Sequence, residues 1–100
     1  MEQEMMETET ESEILTQVIV LLNQSILISK IQEVLADIGQ PDCRLISPYE
    51  VITTESGEKT LVKWLNNITN DVEIMISSDK ILTLAEPSGK LLDDYIEVTK

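Results

Sequence analysis

The stretch "TQVIVLLNQSILISKIQEVLADIGQPD", residues 16–42, admits two readings that lead to different folds. As a helix it would run from about Glu13 to Asp37 and stop at Gly39 and Pro41. As strands it is "QVIVLL", a two-residue turn at Asn23 and Gln24, and "SILISKIQEVLA". Seven residues from Val18 to Val34 are Val or Ile. Side chains branched at the β-carbon lose rotamer freedom against the preceding turn of a helix and pack well on a pleated sheet. Residues 25–29, Ser-Ile-Leu-Ile-Ser, also fail to settle on one helical stripe. The stretch therefore favours two antiparallel strands, with a single helix as the alternative.

Downstream, "GQPD" is a turn by composition. "CRLISPYEVITT", residues 43–54, follows as a strand in which Pro48 cannot donate to a ladder and so marks an edge or a bulge. "ESGEK" is a hairpin-like loop, and "TLVKWLNNITND", residues 60–71, reads as a short irregular or helical piece whose Leu61 and Trp64 can plug the core. Two short apolar runs come next, "VEIMIS" and "KILTLAE", separated by a tight polar turn. In the first, Val72, Ile74 and Ile76 share a face, with Met75 opposite; in the second, Ile81, Thr83 and Ala85 oppose Leu82 and Leu84. Apolar residues on both faces suggest strands covered on both sides. Pro87 suits the first turn of a helix, and Leu91, Leu92, Tyr95, Ile96 and Val98 give residues 87–99 a face that can dock on the sheet. The expected architecture is mainly β: five strands in a small antiparallel domain with one C-terminal helix.

The chain of 100 residues fits one domain with a modest core. Its aromatic residues are Tyr49, Trp64 and Tyr95, so Ile, Leu and Val must build that core. The formal charge is -12, the wrong sign for a protein that coats nucleic acid over its whole surface. Residues 1–13 hold six of the 19 acidic residues and no base, leaving 13 acidic against 7 basic elsewhere. Residues 1–12 read as a mobile acidic arm, and 13–100 as the folded domain. No basic segment followed by an apolar run resembles a secretory signal, and no run approaches a membrane span, so the expectation is a cytoplasmic protein with no membrane partner. The single Cys43 fits that compartment.

Chemistry is sparse. The chain has no histidine, which removes the commonest general base, the Ser-His and Cys-His nucleophile pairs and most zinc sites. Nothing near Cys43 in sequence would lower its pKa, Asp93 and Asp94 point apart on a helix, and the three glycines are isolated, so no phosphate-cradling loop forms. The expectation is no enzyme, no catalytic residue, no metal and no cofactor.

The order strand, tight polar turn, strand, proline in "IMISSDKILTLAEP" resembles the second sequence signature of the Sm and Sm-like proteins. Ile76 ends the first strand, Ser77, Ser78 and Asp79 fall on the turn triplet, and Ile81 opens the second. "VIVLLNQSILISKIQEVLAD" is similar to the opening strands of the first signature, with Asn23 and Gln24 at its turn and Asp37 near its acidic position. The resemblance covers about residues 17–87. The whole chain, particularly "CRLISPYEV", "VKWL" and "ISSDKILTL", also looks like Sm-like proteins attributed to cyanophages in ocean metagenomes.

The resemblance implies a small barrel made from a strongly bent five-stranded antiparallel sheet, whose fourth strand joins the fifth of the next copy to close a ring. Val72, Ile74, Ile76, Ile81, Leu82 and Leu84 are then the candidates for the interface between copies. It implies single-stranded RNA or DNA as partner, in nucleic-acid processing in the cytoplasm of a bacterial host. The pore candidates are Asp42, Ser77, Ser78 and Asp79. Ser77 stands where the family has Arg, Ser78 where it has Gly, and no Asn fills the base-reading position. Lys80 and Arg44 are the candidate compensators for the missing phosphate charge, with Lys30 and Lys63 further out. The acidic balance supports a different class of partner, a protein bound through a surface that repels nucleic acid.

Overall fold

The computed structural model describes residues 13–100; the acidic arm expected at 1–12 lies outside them. Residues 16–42 hold two strands and a following loop rather than a helix. β1 (Leu15–Leu21) and β2 (Ile26–Glu33) pair antiparallel, with Val18 opposite Ile28 and Val20 opposite Ile26. The turn between them closes through Gln24 N–H donating to the Leu21 carbonyl at 2.8 Å and Ser25 N–H donating to Asn23 Oδ1 at 2.9 Å. Gln24 takes φ +73°, the conformation that glycine usually supplies in such turns.

β3 (Cys43–Thr53) pairs with β2 and then serves two partners on its other edge. Tyr49–Thr53 pair with β4 (Lys59–Lys63), and Cys43–Ile46 pair with β5 (Glu73–Ile76). A short 3-10 turn, Ser78–Lys80, leads from β5 to β6 (Ile81–Ala85), which pairs with β1. The sheet therefore runs β4-β3-β2-β1-β6, with β5 beside β4 on the same edge of β3.

This arrangement corrects several expectations. Among the described residues there are six strands where five were expected, because Lys59, placed at the end of the hairpin-like loop, and residues 60–63, placed in an irregular or helical piece, complete a hairpin with the end of β3. No ladder joins β5 to β6, so the sheet stays open and is not a closed barrel. The helix α1 spans Gly89–Val98 rather than 87–99, and Pro87 precedes its cap instead of filling its first turn. Ser88 is that cap, its Oγ accepting from Leu91 N–H at 3.2 Å. Nor are the last two strands covered on both sides: Leu82 is 62% exposed and Leu84 46%. The alternation assigned to β6 also breaks. Val20 pairs with Thr83 but Leu21 with Ile81, so Leu82 is an extra residue in a bulge, and Leu84 pairs with Ile19.

β3 bends at a bulge of its own, where Pro48 was expected to mark an edge or a bulge. Ile28 faces Tyr49 and Lys30 faces Ile46, so Ser29 alone stands against both Ser47 and Pro48. Ser47 adopts φ +55° and donates its N–H to the Val72 carbonyl at 2.7 Å, while Pro48 accepts from Trp64 N–H at 3.0 Å. The edge of β3 thus changes partner at the bulge, from β5 to β4.

A core of Ile19, Leu21, Leu27, Ile31, Cys43 and Leu45 fills the inner face, with Trp64, Ile76 and Ile81 packed against it. Ile28 is also fully buried, but it belongs to the opposite face with its cross-strand neighbour Tyr49, whose ring meets Tyr95 of α1 edge-on at 6.0 Å. Tyr95 is 1% exposed and anchors the helix. Its hydroxyl points at the Ser47 carbonyl (2.8 Å) and the Ile46 carbonyl (3.1 Å), and accepts from Lys30 N–H at 3.3 Å. Ser29 Oγ donates to the carbonyls of Lys30 (2.8 Å) and Ile46 (3.1 Å). These two hydroxyls satisfy the backbone groups that the bulge takes out of the ladder.

Tyr95→Phe keeps the ring and removes the hydroxyl, so it is expected to lower unfolding free energy by about 1–3 kcal/mol through buried backbone groups left without a partner. Urea titration with an unchanged slope checks it. Burial also pushes the Tyr95 phenol above its ordinary value. Its neutral form is therefore favoured by folding, and that contribution, whole below about pH 10, is lost as pH rises through the raised value. The stability of the wild type should fall more steeply above about pH 10 than that of Tyr95→Phe.

Candidate functional site

Asp42 sits immediately before β3, where its carbonyl accepts from Val34 N–H at 3.0 Å and ties the end of β2 to the start of β3. Its carboxylate reaches the turn between β5 and β6. Oδ1 accepts from Ser78 N–H at 2.7 Å and Oδ2 from Ser78 Oγ at 2.8 Å. These two bonds hold Asp42 below the usual carboxylate range. The turn is fixed at its other end as well. Lys80 N–H donates to the Ser77 carbonyl at 3.0 Å, and the Lys80 carbonyl accepts from Leu22 N–H at 2.9 Å. Asp42, Ser77, Ser78, Asp79 and Lys80, separated by some 36 residues of chain, are thus gathered at one end of the sheet.

Arg44 is not brought to this cluster. Strand alternation turns Cys43 inward and Arg44 to the opposite face. There Arg44 donates to Gln32 Oε1 at 3.0 Å and lies 3.9 Å from Glu73 Oε1. Of the two candidate compensators, only Lys80 belongs to the turn, and its side chain is exposed next to Asp79. Lys30 is exposed beside α1, among residues that include Tyr95 and Thr99, and Lys63 stands at the end of β4 near Trp64.

The interface candidates divide. Ile76 and Ile81 pack on the core, and Ile74 is half-buried opposite Leu45. Val72 lies one residue before β5 and is exposed, as are Leu82 and Leu84 on β6. The outer edges of β5 and β6 carry no ladder partner among the described residues.

Sequence reasoning passed over Glu33 and the setting of Cys43. Glu33 pairs with Cys43 across the ladder, and both line an open groove that Ser78 also borders. Burial pushes the Cys43 thiol up to about 11, with the negative charges of Asp42 and Glu33 adding to the shift. A thiol that stays protonated at neutral pH is a poor nucleophile. The signal available in the sequence was the period-2 spacing, which places Glu33 and Ile31 on one face of β2. Among the described residues no group of three or more His, Cys, Asp or Glu could hold a metal ion, and no helix is long and apolar enough to cross a membrane.

The model of a protein family of unknown function, DUF6561, matches residues 14–100, which takes in all six strands and the helix. The chain belongs to this family. No curated protein matches the chain. Because the DUF6561 description carries no activity, the clasp between Asp42 and Ser78 has to be read from its own chemistry.

Two outcomes test that chemistry. Ser78→Ala is expected to move the Asp42 titration upward toward its ordinary value, followed by carboxyl carbon NMR. The sign follows from a lowered pKa: the clasp contributes at neutral pH and is lost as pH falls through the depressed value. Asp42→Asn removes a negative charge beside the thiol, so Cys43 is expected to be alkylated faster than in the wild type at pH 9.

Proposed function

We propose that this member of DUF6561 is a non-enzymatic, ring-forming Sm-like module that contacts single-stranded RNA or DNA through the turn at Ser77–Lys80. The observation that carries the reading is the position of two strand edges that have no ladder partner among the described residues. β5 and β6 flank one tight turn, each is bonded on one side only, and both are edges that a second copy could extend. Unpaired edges promote association, and a head-to-tail joint of β5 to β6 repeated around a ring would cover both of these, leaving the outer edge of β4. Exposed Leu82 on β6 and Met75 on β5 supply apolar surface beside those edges.

In such an assembly the clasped turn of every copy would face a common axis. Ser77 and Asp79 could hydrogen-bond base edges, and Lys80 would provide the phosphate charge. With Arg44 held on the other face, each copy brings one cationic side chain to the turn, so binding would be weak and its salt dependence set by one phosphate contact per copy. As in the sequence resemblance, the process served would be nucleic-acid processing during phage infection of a bacterial host.

A second reading has its own observation. Asp42, Asp79 and the acidic balance of the chain favour a partner other than a polyanion, and the ring would then be a protein-interaction module.

The test couples mass to binding. The oligomeric mass and the anisotropy of labelled A-rich and U-rich single strands are measured in one buffer at low and moderate salt. A ring-sized particle whose binding falls with salt and is lost in Lys80→Ala is the expected result. A monomer removes the ring, and a ring that binds neither strand at low salt removes the nucleic-acid activity in favour of the protein partner. Deleting residues 1–12 separates the two further: tighter strand binding is expected if the acidic segment opposes a nucleic-acid site.

A further inference from the structure

The inner face of the sheet is filled at one end and open at the other. Ile19, Leu21, Leu27 and Leu45 pack together with Trp64 against them, but Leu15 at the start of β1 is half exposed and Leu84 on β6 is 46% exposed. Between them runs a groove of about 560 Å³, floored by Ile31 and Ile81. That volume falls in the range of small-molecule sites, roughly 300–1,000 Å³, which are mostly apolar with a few placed polar groups.

The charged groups that line this groove share one sign, beside the neutral Gln17, Ser78 and Thr83. Glu13 and Glu33 line it, and none of its lining residues is a Lys or Arg. Lys30 and Lys80, the neighbours of Ile31 and Ile81 in sequence, are exposed and do not line it, and Arg44, next to Cys43, is turned to the other face and engaged with Gln32 and Glu73. The Cys43 thiol also lines the groove, and besides burial, the nearby Asp42 and Glu33 carboxylates push its titration upward. A carboxylate or phosphate ligand would meet repulsion here. Residues 1–12, with five Glu and no base, are the wrong chemistry for the same reason.

We propose that this groove binds a small amphiphilic cation, a molecule with an aliphatic body and a protonated amine at one end. The body lies on Leu15, Ile31, Ile81 and Leu84, removing their exposed apolar surface from water. The ammonium lies at the rim between Glu13 and Glu33, where charge-assisted hydrogen bonds hold it. The inference rests on neither the ring nor nucleic acid, since every group it uses belongs to one chain and polyanions are disfavoured at the same spot; Ile81 and Leu84 are also ring-interface candidates, which makes a second copy the competing occupant.

The test uses three probes of equal chain length, octylammonium, octanol and octanoate, each below its micelle concentration, with the full chain at neutral pH. Methyl NMR of Ile31, Ile81, Leu15 and Leu84 locates the probe, and titration gives its affinity. Octylammonium is expected to shift these methyls and to bind about ten-fold more tightly than octanol, with octanoate weakest. Glu33→Gln, alone and with Glu13→Gln, is expected to remove most of the preference for octylammonium while leaving octanol binding unchanged. Equal binding of all three probes, binding that shifts other methyls instead, or no binding would overturn the proposal. So would methyl shifts that track protein concentration without any probe, which would make a second copy the occupant.

Discussion

A single phenol hydroxyl stands at the point where the sheet changes direction. The extra residue at Ser47 and Pro48 takes the Ile46 and Ser47 carbonyls and the Lys30 N–H out of the regular ladder, and the Tyr95 hydroxyl serves all three. Without a partner, each of these buried groups would oppose the bend. The same contact positions α1, because Tyr95 is the one fully buried residue of the helix. Ile96 and Val98 are largely exposed, so the helix depends on this anchor more than on a broad apolar face.

The bulge has a second consequence at the edge of β3. Ser47 and Pro48 divide that edge into a segment for β5 and a segment for β4, with Trp64 and Val72 bonded at the division. Trp64 turns back onto the core and closes one end of the inner face. β5 is carried to the other end, where the Ser77–Lys80 turn reaches Asp42. The clasp there is electrostatically self-consistent: a carboxylate accepts one backbone and one side-chain bond from Ser78, and the positive side chains lie elsewhere or point outward. The open end of the concave face inherits an acidic rim from Glu13 and Glu33.

The β-branched run from Val18 to Val34 was legible as two strands because rotamer restriction acts residue by residue. Pro48 was legible as an interruption, an edge or a bulge, because it lacks an N–H. The strand Lys59–Lys63 was not: "KTLVK" is short and carries two lysines, and it becomes a strand through pairing with β3. On β6 the alternation misled, since one bulged residue, Leu82, reverses the faces that follow. Arg44 was named with Lys80 as a candidate for the missing phosphate charge, whereas period-2 spacing from inward-facing Cys43 puts it on the far face. The partnership of Asp42 with Ser78 left no local signature, because it spans the whole of β3, β4 and β5.

By itself the sequence determined the β-rich class, the first hairpin and its turn, the interruption at Pro48 and the lack of histidine chemistry, all of which follow from local backbone preference or side-chain identity. Tertiary structure decided that the sheet stays open, which exposed apolar residues remain uncovered, and which charges meet. Those outcomes rest on contacts between residues far apart in the chain, Tyr95 with Ser47 and Asp42 with Ser78, whose geometry exists only once the bend in β3 has brought them together.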